Sequence, residues 1–130
     1  MTPRQKEAFF RFIKKDSSGE FHHGDCIGAD FDAHQIVSKI NKHRIVIHPC
    51  DIVYMRAFCV GDEILKPRKP LTRNEIMVDL CEILFATPGE FLEKQRGGTW
   101  FTIRYARKTS KPLIIIFPDG STIQENFQKI

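Results

Sequence analysis

Four things are scarce in this chain of 130 residues, and each scarcity removes a class of explanation. No apolar run approaches the ~20 residues that a helix needs to cross a bilayer, so no membrane partner is expected. The four cysteines (Cys26, Cys50, Cys59, Cys81) include no CxxC pair, and Met1-Thr2-Pro3-Arg4-Gln5 opens neither a secretory leader nor a lipidation motif. The thiols therefore read as reduced, in a cytoplasmic protein. Charge is not massed: 20 basic residues against 16 acidic ones give a net +4, spread over Lys14-Lys15, residues 66–69 and residues 104–111. That favours an anionic small ligand weakly and does not establish a nucleic-acid surface. Beyond 11 phenylalanines, the aromatics are Trp100, Tyr54 and Tyr105, a thin supply for a base-stacking groove, so nucleic acid is not the expected partner.

What is present is an ordinary globular composition, 42% hydrophobic and 28% charged, at a length that suits one domain over residues 1–130. Thr2-Pro3-Arg4-Gln5 reads as a capped helix start, and Ala8, Phe9, Phe12 and Ile13 follow at helical spacing. A short strand over residues 20–23 leads through a glycine loop into a helix with Ala33, Ile36, Val37 and Ile40 on its buried face. Arg44-Ile45-Val46-Ile47-His48 is an apolar strand that stops at Pro49. Residues 50–71 show little periodicity, after which Thr72-Arg73-Asn74-Glu75 reads as a capping box restarting a helix. Residues 83–86 are a strand, residues 88–98 a polar loop, residues 99–108 a helix, and Leu113 to Phe117 a fully apolar strand closed by Pro118-Asp119-Gly120.

Helices alternating with strands that are apolar on both faces predict an α/β fold, a Rossmann-like three-layer sandwich with a mainly parallel sheet. Ligands of such sheets sit beyond the carboxyl ends of the strands, here His22-His23-Gly24-Asp25, His48-Pro49, Thr87-Pro88 and Pro118-Asp119. The chain opens on a helix where this architecture opens on a strand. Either the start lies too far downstream or the sheet closes without that strand.

Two glycine-bearing turns precede helices. In Gly24-Asp25-Cys26-Ile27-Gly28-Ala29-Asp30, the glycines admit close backbone approach, helix-start N–H groups favour an anion, and Asp25 or Asp30 can accept from a ribose or base. The bland reading is a tight turn capped by Asp30. In Arg96-Gly97-Gly98-Thr99-Trp100, two glycines and a hydroxyl form a phosphate cradle, Arg96 adds charge and Trp100 offers a stacking face. Arg73 and Asn74 lie in a first helical turn, where a cation opposes the macrodipole unless an anion is bound. His48 and Thr87 complete the candidate ligand set at the strand ends. His22, His23, Cys26, His48 and Cys50 are zinc-ligand types, but their spacing matches no zinc pattern, so no metal or other cofactor is assigned. No nucleophile has an obvious base, and no catalytic residue is named.

The order of these motifs resembles the SLOG superfamily, the Rossmann-like lineage uniting LOG/lysine-decarboxylase-like phosphoribohydrolases with the DNA-processing protein DprA. Residues 23–30 resemble its H-G-x-x-x-G-A-D turn, residues 73–79 its R-N-x-x-M-V-D helix, and residues 96–108 its G-T-W-x-T-I-R-x-A-R-K segment. The resemblance covers about residues 20–120 and is closest to small stand-alone bacterial and phage members. It implies a nucleotide-type ligand with phosphate near Gly97, Gly98 and Thr99 and with Arg73 close by. Two departures stand out: the phosphoribohydrolases' catalytic Glu is replaced by Thr102, and the family's first strand with its glycine loop has no counterpart in residues 1–130. The leading expectation is thus a domain that binds or senses a nucleotide derivative. The alternatives are a nucleotide N-glycosidic hydrolase and, second, a DprA-type single-stranded DNA binder. A homodimer or higher oligomer suits the flat faces of such a domain.

Overall fold

The computed structural model describes residues 1–17 and 19–127. Its elements run α1 (Pro3–Lys15), β1 (Glu20–His23), α2 (Ala29–Ile40), β2 (Arg44–Ile47), a 3-10 turn (Val53–Met55), β3 (Glu63–Ile64), α3 (Pro70–Leu80), β4 (Leu84–Ala86), α4 (Gly98–Lys108), β5 (Leu113–Ile116) and β6 (Thr122–Glu125). The chain is mixed α/β, and no described helix is long and apolar enough to cross a membrane.

α1 starts where local chemistry demands. Thr2 Oγ1 accepts from Gln5 N–H at 3.0 Å, Thr2 N–H donates to Gln5 Oε1 at 2.9 Å, and Pro3 occupies the first turn. The Gln5 amide is buried and donates twice more, to Pro88 O at 2.8 Å and Ile116 O at 2.9 Å. These carbonyls follow β4 and end β5, so the first turn of α1 is fastened at the carboxyl ends of two strands.

The anticipated single sheet is found as two three-stranded sheets, ordered β1-β2-β3 and β4-β5-β6. The first is wholly parallel, with His22 opposite Val46 and His23 opposite Ile47. In the second, β4 and β5 are parallel while β6 runs antiparallel along β5. One apolar layer joins the two sheets: Phe9 and Ile13 of α1 and Val37 of α2 pack with Ile45 and Ile47 of β2 and Ile114 and Ile116 of β5. The Phe9 ring lies 5.9 Å from that of Phe21 in β1 and 5.7 Å from that of Phe85 in β4, which places α1 across both sheets. A second cluster covers the opposite face of β5, where Leu113 and Ile115 meet Val78 of α3 and Trp100, Ile103 and Ala106 of α4. Strand β5 is therefore buried on both faces, as its uninterrupted apolar sequence requires.

Several boundaries differ from expectation. α3 begins at Pro70 with Lys69 as its N-cap, so Thr72 lies inside the first turn and is not a cap. A proline with fixed φ is pre-set for a first helical position and takes precedence over a capping pattern two residues later. Residues 50–71 are ordered by pairing: Cys26 bridges Arg56, Cys50 bridges Arg68, and β3 adds to β2. β6 carries exposed polar residues and lacked an apolar signature.

Candidate ligand site at the helix starts

Three helices begin without a side-chain cap. Gly28 before α2, Lys69 before α3 and Gly97 before α4 accept no N-terminal hydrogen bond through a side chain, and neither α3 nor α4 has an acidic residue in its first turn. α1, fully capped, is the contrast. Uncapped N–H groups at a positive dipole end are donors waiting for an acceptor. Gly28 and Gly97 have φ of 111° and 110°, and a Cβ at either position would meet no neighbour, so backbone conformation rather than crowding selects glycine.

Arg73, in the first turn of α3, ties these starts together. Its side chain is 4% exposed. Nη1 donates to Gly24 O at 2.6 Å and His48 O at 2.9 Å, joining the ends of β1 and β2, while Nε donates to Asn74 Oδ1 at 2.6 Å. Among the described residues, Nη2 meets only the Cys26 sulfur at 3.5 Å. No carboxylate forms an ion pair with Arg73 among the described residues; Asp30 turns its Oδ2 to Cys26 N–H at 3.0 Å. Because Arg73 Nε can only donate, Asn74 must present Oδ1 to it, which turns Nδ2 the other way. That nitrogen faces Gly98, lying 3.6 Å from where a Gly98 Cβ would stand. Gly24 is equally close on the other side: a Cβ there would fall 2.6 Å from Arg73 Nη1. Gly24, Asp30, His48, Arg73, Asn74 and Gly98 are thus one contiguous assembly.

The remaining candidates fall differently. Gly97 and Thr99 lie exposed at the α4 start, and Arg96 is exposed beside them. Thr87 is half-buried after β4. Trp100 is 4% exposed within the second core cluster, and its Nε1 donates to Glu90 Oε1 at 2.8 Å, so its ring is not an open stacking face. Asp25 is fully buried with φ 60°. Its carboxylate accepts from Cys59 N–H at 2.9 Å and Arg56 Nε at 3.1 Å. Burial pushes the Asp25 carboxyl upward, but these hydrogen bonds outweigh it and hold the group below its ordinary value. The placement gives Asp25 the work of fastening residues 56–59 beneath the site.

Sequence reasoning did not find two histidine pairs on opposite faces of β1. On one face His23 Nε2 lies 2.9 Å from His34 Nδ1; on the other His22 Nδ1 lies 2.7 Å from His48 Nε2. The adjacency of His22 and His23 in a strand signals opposite faces, but His34 and His48 become neighbours only through folding. Burial pushes His23 down to about 4, and burial followed by the charges of His22 and Arg73 does the same for His48. Both are neutral near pH 7.

His23, His34 and Cys59 offer ligand atoms within 4.8 Å of one another, the donor types of a zinc site. Their hydrogen bonding opposes that use. Asp25 N–H donates to His23 Nδ1 at 3.0 Å, so the proton of neutral His23 resides on Nε2, where it donates to His34 instead of leaving a lone pair for metal. Burial, then Asp25, raises the Cys59 thiol to about 11, far from a ready thiolate.

Comparison of the chain with family models, with curated proteins and with solved structures finds no match.

Proposed function

We propose that the chain is a nucleotide-binding or nucleotide-sensing domain of the SLOG, Rossmann-like lineage, which holds the phosphate of a nucleotide derivative between the starts of α3 and α4. The carrying observation is the buried Arg73 guanidinium without an ion-paired carboxylate, linked through Asn74 to the uncapped α4 start. A buried cation bonded only to neutral groups is costly, and an anion lowers that cost. Helix-start amides, the Asn74 amide nitrogen and Arg73 Nη2 together supply phosphate-type donors, and the order of motifs across residues 23–108 supports the lineage. Helices on both faces of β5 and parallel pairing in both sheets favour the layered arrangement.

A thermal-shift panel of nucleoside monophosphates, diphosphates, ADP-ribose and cyclic dinucleotides tests the proposal. One or more phosphorylated nucleosides should raise Tm while the matching unphosphorylated nucleoside does not. A ligand at 100 times its Kd adds about 2.7 kcal/mol, a readily measured shift. A folded sample that no phosphorylated nucleoside stabilises would refute the reading.

A further inference from the structure

α1 is placed like the crossover helix that links two parallel strands, yet among the described residues only the strand after it is present. It begins at the carboxyl ends of β4 and β5, where Gln5 Nε2 donates to Pro88 O and Ile116 O, and it ends before β1, so it runs back against the strands. The carboxyl end of β1 lies on the same side: Met1 N donates at 2.7 Å to Asp32 in the first turn of α2, the helix that follows β1. Phe9 of α1 meets both Phe21 of β1 and Phe85 of β4, which makes these strands the inner edges of their sheets. No pairing joins them, and among the described residues the two rings meet Phe9 but not each other. Paired neighbours stand ~4.8 Å apart, and two strands flanking a third stand ~9.6 Å apart. The main chain at both edges is turned into this interval. His23 O accepts from His48 N–H at 2.8 Å and so faces β2, and Leu84 N–H donates to Pro112 O at 2.9 Å and so faces β5. Successive residues of a strand turn their peptide groups to opposite sides, which directs those of His22 and Phe85 away from these partners. Burial agrees: Phe21, His22, Leu84 and Phe85 are half-buried, whereas Ile45 to Ile47 and Leu113 to Ile116 are buried.

We propose that the interval between β1 and β4 is the seat of one further strand, parallel to both, formed by residues joined to Met1 in a longer form of this chain. The occupant follows from what stands at the carboxyl mouth of the interval. The Met1 side chain packs on the apolar layer beneath α1, its nitrogen reaches Asp32, and Thr2 Oγ1 donates to Pro118 O at 2.7 Å beyond β5. A strand that runs with its neighbours ends at that mouth and passes straight into α1, so strand, α1 and β1 complete a βαβ unit. A peptide N–H in place of the Met1 ammonium still donates to Asp32. The face turned to α1 meets Phe9, Phe12, Phe21 and Phe85, which calls for β-branched apolar residues. Unpaired main-chain groups at a sheet edge are a template for a strand, and here two edges offer theirs to the same one. Once seated, it joins the two sheets into one. The inference is independent of the nucleotide reading.

The test compares amide hydrogen exchange and Tm in three proteins: the 130-residue chain, the chain with Lys-Val-Val-Ile-Val-Thr-Gly-Ser joined to Met1, and the chain with a Gly-Ser repeat of equal length there. In the 130-residue chain the His22 and Phe85 amides should exchange at least ~10-fold faster than those of Val46 and Ile115, which lie in strands paired on both sides. The apolar extension should slow both amides by ~100-fold and raise Tm, while the Gly-Ser extension does neither. A chain that folds only when it carries the apolar extension supports the proposal equally. His22 and Phe85 amides already as protected as Val46 and Ile115 in dilute 130-residue chain show a closed interval and overturn it. An apolar extension no more effective than Gly-Ser overturns it as well. Protection of the two amides that rises with the concentration of the 130-residue chain gives the seat to a second copy and overturns the occupant proposed.

Discussion

At the scale of single residues, the site is governed by groups that are buried and neutral or buried and unpaired. His23 and His48 titrate in the folded chain at about 4, against about 6.5 when unfolded. A depressed histidine binds fewer protons folded than unfolded below pH 6.5. Its stabilising effect is therefore complete above pH 6.5 and is lost as pH falls towards 4. Two such groups represent up to about 3 kcal/mol each. Urea unfolding at pH 7.5, 6, 5 and 4.5 should show stability falling most steeply below pH 6. His23→Gln and His48→Gln should flatten that slope, and an unchanged slope would contradict the burial argument. Arg73 sets the second prediction. Arg73→Ala leaves the Gly24 and His48 carbonyls without their donor and should cost about 2–5 kcal/mol in denaturant unfolding. Arg73→Lys retains charge but not the planar fork, so it should recover part of the stability and little of the phosphate-dependent Tm shift. Gly24→Ala should mimic this loss from the other side, because its methyl group would stand 2.6 Å from Arg73 Nη1 and force the guanidinium to shift.

At the scale of elements, the helix starts divide into one that is closed and three that are open. Thr2→Ala removes the hydroxyl that serves Gln5 N–H and donates to Pro118 O at 2.7 Å, and should lower stability by about 1–2 kcal/mol without affecting nucleotide binding. Introducing Asp at Thr99 should do the reverse: an acid in the first turn of α4 stabilises the helix by about 0.3–1 kcal/mol and competes with phosphate for the same amides. A rise in Tm together with loss of the nucleotide shift would show that the amides serve the ligand. The same division explains what was legible in the sequence. The α1 box was readable because Thr2, Pro3 and Gln5 act within one turn, and the glycine turns before α2 and α4 were readable for the same reason. Thr72 to Glu75 misled because Pro70 outranked it. The pairs His22–His48 and His23–His34, and the fastening of Asp25 to Cys59, were invisible because they join residues 11 to 34 positions apart. The neighbours of Trp100 in the chain point to a ligand, whereas its helical phase turns it into the core.

At the scale of the whole molecule, alternating helices and apolar strands led to a layered α/β arrangement, and the core supports it around β5, which has α1 on one face and α3 and α4 on the other. The split into two sheets could not be read from periodicity, since each strand's pattern reports its faces and not its lateral neighbours. Distant segments meet at Arg73: Gly24 from the end of β1, His48 from the end of β2, and, through Asn74, Gly98 at the start of α4. The most direct test of that meeting point is a 1H–15N NMR titration with adenosine monophosphate, following the backbone amides together with the Arg73 Nε–H signal. The account predicts concerted, saturable shifts of Gly98, Thr99 and Gly24 amides and of Arg73 Nε–H, with one Kd and with adenosine inert. Saturable shifts confined to other surfaces, with these four signals unmoved, would contradict it.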